Sequence, residues 1–173
     1  MKRRLALGAL VVLGGLVSLG AVLMLAAFVT GTSVSATQWY DLVAGRTEVD
    51  VGTVQVDNDP TNLNVRYSTD SPWCLTEVHV CISDQPFTWV APGSAAQCEA
   101  VGGVHRGFKL NTCTDNYVVT IPLAELGDLA TLCPSVYIQA HAAVMNQCTG
   151  EGETAYGDAF KASFEHDLCY CAP

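Results

Sequence analysis

Basic residues are scarce outside the first four positions. Lys2, Arg3 and Arg4 open the chain, and residues 37–173 hold only five more Lys and Arg against all seventeen Asp and Glu. Their formal charge of −12 argues against a nucleic-acid groove or an anionic-headgroup face, both of which need clustered cations. Catalytic signatures are missing as well. No G-x-S-x-G, H-E-x-x-H, P-loop or G-x-G-x-x-G occurs. Those patterns place a nucleophile, a metal pair or phosphate-cradling amides where chemistry needs them. Paired carboxylates serve glycoside cleavage, but among seventeen acids any pair is unremarkable. There is no C-x-x-C pair, the closest being Cys169-Tyr170-Cys171, so a zinc ribbon is poorly supported. No period of 20–50 residues repeats, which argues against solenoids and propellers. No low-complexity linker marks a second domain.

What is present begins with an export segment. A basic start, an unbroken apolar run over residues 5–29 and Val34-Ser35-Ala36 form the layout of a signal, so residues 1–36 separate from a 37–173 domain. Two readings stand. Cleavage after Ala36 releases a soluble domain. Retention leaves one N-terminal apolar transmembrane helix, because 25 residues at ~1.5 Å each span a ~30 Å hydrocarbon core with some tilt, with the basic residues on the cytoplasmic side. No cysteine follows the run closely, so no lipid-attachment site exists. Both readings place residues 37–173 outside the cytoplasm: secreted, periplasmic or on the cell surface.

All eight cysteines, Cys74, Cys81, Cys98, Cys113, Cys133, Cys148, Cys169 and Cys171, lie in that exported part. An even number in an oxidising compartment predicts disulfides, which would also consume any thiol nucleophile. Of the 105 connectivities open to eight cysteines, two local pairs suggest themselves. Cys98 and Cys113 bracket a Gly-rich loop, and Cys133 and Cys148 bracket an apolar strand. Cys169 and Cys171 reach different partners.

Hydrophobic periodicity is mostly two, the mark of strands. Residues 48–57 alternate on Val49, Val51, Val54 and Val56, with a phase slip at Gly52-Thr53 that predicts a bulge. Turn formers at residues 58–62 lead into Leu63, Val65 and Tyr67, which together read as a hairpin with a five-residue loop. Residues 75–82 turn Val78, Val80 and Ile82 one way and Glu77, His79 and Cys81 the other. Residues 83–114 read as a long irregular stretch. Residues 117–121 are a strand, 122–132 a short helical turn, and 136–145 a buried strand whose even face, Val136 to Val144, is wholly apolar. Residues 153–157 and 159–164 supply the last edge, with Phe160, Ala162 and Phe164 on one side. The expected fold is all-β, an antiparallel β-sandwich of jelly-roll type stapled by disulfides.

Four constellations bear on function. Glu77, His79, His141 and Glu153 would form a zinc-type set if their strands are neighbours; otherwise they are a hydrogen-bonded polar cluster. Asp57-Asn58-Asp59-Pro60-Thr61-Asn62 begins like a calcium loop, but Asn62 stands at the sixth position and Ser68 at the twelfth, and a turn explains the same residues. Glu151, Glu153 and Asp158 are a weaker calcium set. Among the aromatics Trp39, Tyr40, Trp73, Phe87 and Trp89, the pair Phe87 and Trp89 sits in a loop and is the interface candidate, while Trp73 belongs to the core.

Several segments together resemble an uncharacterised family of secreted β-rich domains of bacteria and archaea. They are Asp50-Val51-Gly52-Thr53-Val54, Thr61-Asn62-Leu63-Asn64-Val65-Arg66-Tyr67, Trp73-Cys74-Leu75-Thr76-Glu77-Val78-His79, Ile121-Pro122-Leu123, Val136-Tyr137-Ile138-Gln139-Ala140-His141-Ala142 and Glu153-Thr154-Ala155-Tyr156-Gly157. The resemblance implies an extracellular module, often attached to larger surface proteins, and draws Glu77, His79, His141 and Glu153 together as a set. It does not extend to residues 83–114 or to the Cys169–Cys171 tail. The expectation is a non-enzymatic exported binding or structural module that contacts a protein or surface glycan. Anchored by its helix, it would be an accessory subunit of a membrane complex. The alternative is a zinc- or calcium-binding domain centred on Glu77, His79 and His141.

Overall fold

Valine-rich alternation becomes strand wherever one face can be buried. A computed structural model describes residues 37–86, 94–130, 135–159 and 161–168, all within the unit Gly31–Pro173. Residues 1–36, expected to be an export segment, lie outside the described residues, as do Phe87, Trp89, Cys133, Phe160, Cys169 and Cys171. Among the described residues nine strands form: β1 Gln38–Ala44, β2 Val49–Asn58, β3 Asn62–Thr69, β4 Trp73–Ser83, β5 Val104–Thr114, β6 Asn116–Pro122, β7 Ser135–Asn146, β8 Gly152–Gly157 and β9 Phe164–Asp167. A six-residue helix, α1 (Ala95–Ala100), precedes β5, and a 3₁₀ segment, Leu123–Ala130, follows β6. No helix among the described residues is long and apolar enough to cross a membrane.

The strands make one antiparallel sheet in the order β5-β4-β7-β8-β1-β2-β3-β6, with β9 alongside the first half of β7. This corrects the expected sandwich. Two facing sheets would leave no backbone pairing between halves, yet β8 pairs with β1 at Leu42↔Gly157, Val43↔Tyr156 and Ala44↔Ala155. The sheet instead curls, barrel-like. Its outer strands β5 and β6 are joined through Asp115 alone, and Phe108 on one lies 5.7 Å from Tyr117 on the other, ring to ring. Across the interior, Tyr67 Oη of β3 donates to the His79 carbonyl of β4 at 2.8 Å.

The inward residues form one core. Val54, Val56, Leu63, Val65, Val78, Val80, Ile82 and Ile121 are fully buried in it, together with Val136, Ile138, Ala140, Ala142 and Val144, the even face of β7. Trp73 packs against this core, as expected. The expected bulge forms as well. Leu42 pairs with Gly52 and Val43 with Asp50, so Val51 is the extra residue. The hairpin β2–β3 has a three-residue connection rather than five.

Three further expectations need correction. Residues 83–114 are not irregular throughout: they contain α1 and the eleven-residue β5. The last strand is β9, Phe164–Asp167, later than residues 159–164, because Phe164 stacks on Tyr40 at 3.7 Å and starts the pairing with β7. Cys98 does not pair with Cys113. The disulfides are Cys74–Cys113 and Cys81–Cys98, with Cα–Cα distances of 5.4 and 5.8 Å. The reason is β5: as a strand it carries Cys113 back beside β4, while the helix sets Cys98 over Cys81. Cys148 is exposed and in neither bridge. Two disulfides suit an extracytoplasmic, oxidising compartment.

Candidate functional site

Parity along β4 sends Val78 and Val80 into the core and Glu77, His79 and Cys81 to the outer face. Register then builds a histidine cluster there. His79 stands directly opposite His141 on β7 and opposite Gly107 on β5, and His141 stands opposite Tyr156 on β8. His105, two residues from Gly107, is on the same face opposite Cys81. Although outward, His79 and His141 are only 8 % and 6 % exposed.

His79 is held on both ring nitrogens. Its Nε2 lies 2.5 Å from Glu77 Oε1, and its Nδ1 lies 3.2 Å from His105 Nε2. A carboxylate only accepts, so Glu77 fixes the proton on Nε2 and leaves Nδ1 as a lone pair facing His105. The His141 ring stacks on His79 with centroids 4.6 Å apart and planes 12° from parallel. Burial first, and then the neighbouring imidazoles of His79 and His105, which disfavour a further charge beside them, push His141 down to about 3. His105 is also lowered, mainly by burial and then by His79 and Arg106, with Glu99 opposing. Gly107 gives the room: a Cβ there would sit 2.4 Å from His79 Nδ1 and 3.0 Å from His105 Cε1.

The set named from sequence is therefore only partly assembled. Glu77, His79 and His141 come together. Glu153 pairs opposite Val144, three residues along β7 from His141, roughly 10 Å at the rise of a strand. It lines a different groove with Arg46, Trp73 and Glu151. His105 was absent from that set, because its strand carries too weak an alternation to be seen. Among the described residues no group of three or more His, Cys, Asp and Glu is arranged to hold a metal ion. At the calcium-like turn, Asp59 Oδ1 accepts from Thr61 N at 2.7 Å, Thr61 Oγ1 at 2.6 Å and Asn62 N at 2.8 Å. The Thr61 hydroxyl above all, then the two amides, holds Asp59 down at about 2. Its lone pairs serve the turn.

A second outer face, on β1, β2, β3 and β6, is exposed. Register places Trp39, Gln55, Arg66 and Val118 in one cross-strand row. Trp39 is 63 % exposed and Val118 is also exposed. In the neighbouring row Asp57 accepts from Arg66 Nε at 3.2 Å, Gln55 Nε2 at 3.3 Å and Asn64 Nδ2 at 3.0 Å, while Thr120 Oγ1 donates to Asn64 Oδ1 at 2.9 Å. A groove of about 390 Å³ runs over this face, lined by Trp39, Thr53, Gln55, Arg66, Ser68 and Val118 among others.

No family model, curated protein or solved structure matches this chain.

Proposed function

We propose that the chain is an exported, disulfide-stapled, non-enzymatic binding module that holds a neutral surface glycan on the β1-β2-β3-β6 face. The Trp39-Gln55-Arg66-Val118 row carries this reading. An exposed indole offers a flat apolar face for the C–H side of a sugar ring. Beside it, amide, hydroxyl and guanidinium groups are already oriented by hydrogen bonds to Asp57 and Asn64, so binding orders few side chains. Asp57 offsets the charge of Arg66, which favours an uncharged polyol over an anionic polymer. In this row the exposed apolar side chains are one indole and one valine, little for a protein interface, whose core is aromatic and dry. Phe87 and Trp89 remain candidates for a protein contact. The retention of residues 1–36 decides between a released module and an accessory subunit held on the membrane.

Affinity electrophoresis of the full chain against neutral soluble polysaccharides tests the reading. Retardation by at least one of them, abolished in Trp39→Ala and weakened in Arg66→Ala, is expected. Migration unaffected by every polysaccharide, or equal for wild type and Trp39→Ala, rejects it.

A further inference from the structure

From the histidine cluster on the other outer face, we infer a transition-metal site whose protein ligands are His79 Nδ1 and His105 Nε2, with Glu77 orienting His79 from behind. The two nitrogens stand 3.2 Å apart. At ~2.0–2.1 Å per zinc–nitrogen bond, two ligands of a tetrahedral ion stand about 3.3 Å apart. The spacing that serves an N–H···N hydrogen bond in the metal-free protein therefore also suits two ligands on one ion. Glu77 Oε1, 2.5 Å from His79 Nε2, occupies the place of the carboxylate that commonly backs a metal-bound imidazole, fixing its tautomer and raising its basicity. Gly107 is the independent observation. A Cβ there would press on His79 Nδ1 and His105 Cε1, so the residue opposite His79 on β5 leaves both rings room because it has no side chain.

His141 is excluded as a ligand by geometry. An imidazole binds metal in its own plane, and the His79 and His141 planes are nearly parallel with centroids 4.6 Å apart, so no point lies in both at bonding distance. Two protein ligands leave the remaining positions to water or to an external donor, in agreement with the absence of a three-residue group among the described residues. Such an open, all-nitrogen pair suits zinc and copper and not calcium, which takes oxygen ligands. Glu77 and His105 are partly exposed, which gives the ion a path from solvent.

Calorimetric titration of the full, oxidised chain with Zn²⁺ alone and Cu²⁺ alone tests the inference. One ion per chain is expected, with binding lost in His79→Ala and in His105→Ala, weakened about 10- to 100-fold in Glu77→Gln, and unchanged in His141→Phe and Trp39→Ala. Circular dichroism of each variant confirms that it is folded. Electron paramagnetic resonance of the Cu²⁺-loaded wild type, which needs no substitution, should show two coupled imidazole nitrogens. No binding of either ion, binding that survives His105→Ala, loss in His141→Phe, or a copper signal without nitrogen coupling overturns the inference. The Trp39→Ala arm keeps this result separate from the fate of the glycan face.

Discussion

Gly107 shows how much can rest on one missing side chain. Replacing it with Ala sets a Cβ 2.4 Å from His79 Nδ1. Either the His79 ring leaves His105 or β5 moves away from β4. We expect Gly107→Ala to cost about 1–3 kcal/mol, the usual penalty of overpacking. The imidazole resonances of His79 and His105 should shift together. A thermal unfolding curve and histidine ring spectra check both, and an unchanged melting temperature with unchanged ring signals counts against the packing described. At this scale the sequence was half legible. Parity alone put Glu77 and His79 on one face and His141 opposite the apolar face of its own strand. It did not give the partner strand that turns those positions into contacts. Nor did it reveal His105, which becomes a neighbour only through the β4–β5 register.

Among the elements, strands with one fully buried face were readable, because burial writes the alternation: β2, β3, β4, β6 and β7 follow their valines, leucines and isoleucines, whereas β8, Gly152-Glu153-Thr154-Ala155-Tyr156-Gly157, has none and was placed only as part of the last edge. β1 and β5 were not readable. β5 is half exposed along its length and interrupted by Gly107, and β1 mixes exposed Trp39 and Asp41 with buried Leu42 and Val43. Disulfide partners were illegible for the same reason, since Cys113 reaches Cys74 only if residues 104–114 are a strand. The β2 bulge was visible as a phase slip. Its physical need for glycine is clear in the fold: Gly52 has φ of +150°, and a Cβ there would lie 2.0 Å from the Ser68 carbonyl. Gly52→Ala should therefore destabilise more than Gly107→Ala, because backbone cannot swing aside as an imidazole can. Tyr67→Phe tests barrel closure more gently. It removes the Oη bond to the His79 carbonyl and should cost about 1 kcal/mol in denaturant unfolding. A cost near zero would mean that this cross-barrel bond does not help to hold β3 against β4.

For the whole molecule, β9 is the strand that lies off the main sheet path. It pairs by backbone only with β7, yet His166 reaches from it to β1 and β2: Nδ1 lies 2.5 Å from Gln38 Oε1, and Nε2 lies 3.0 Å from the Asn58 side-chain oxygen. A neutral imidazole has one N–H and cannot donate to both. Burial, opposed by Asp167 and Asp57, lowers the His166 pKa and favours the neutral ring. The consistent arrangement turns the Asn58 amide over, so that its Nδ2, which otherwise has no acceptor, donates to Nε2 while Nδ1–H donates to Gln38. The sign of the pH effect follows. A folded pKa below the unfolded value of about 6.5 means that the unfolded chain binds the extra proton first. The contribution is complete above that value and is lost as pH falls from it toward the folded pKa, by up to about 1.4 kcal/mol per unit. His105 and His141 shift in the same direction, so the wild-type slope is a sum and a variant is needed to isolate the latch. His166→Gln, measured by thermal unfolding between pH 7 and 5 with both disulfides intact, should be less stable at pH 7 and lose less on acidification than the wild type. Amide exchange in Phe164–Asp167 should quicken as the wild type is acidified, because charging the buried His166 ring costs desolvation and forces the Asn58 amide to turn its oxygen back toward Nε2. Parallel slopes for the two proteins, with β9 exchange unmoved, would show that the barrel is closed by its backbone pairing and that His166 only fills space.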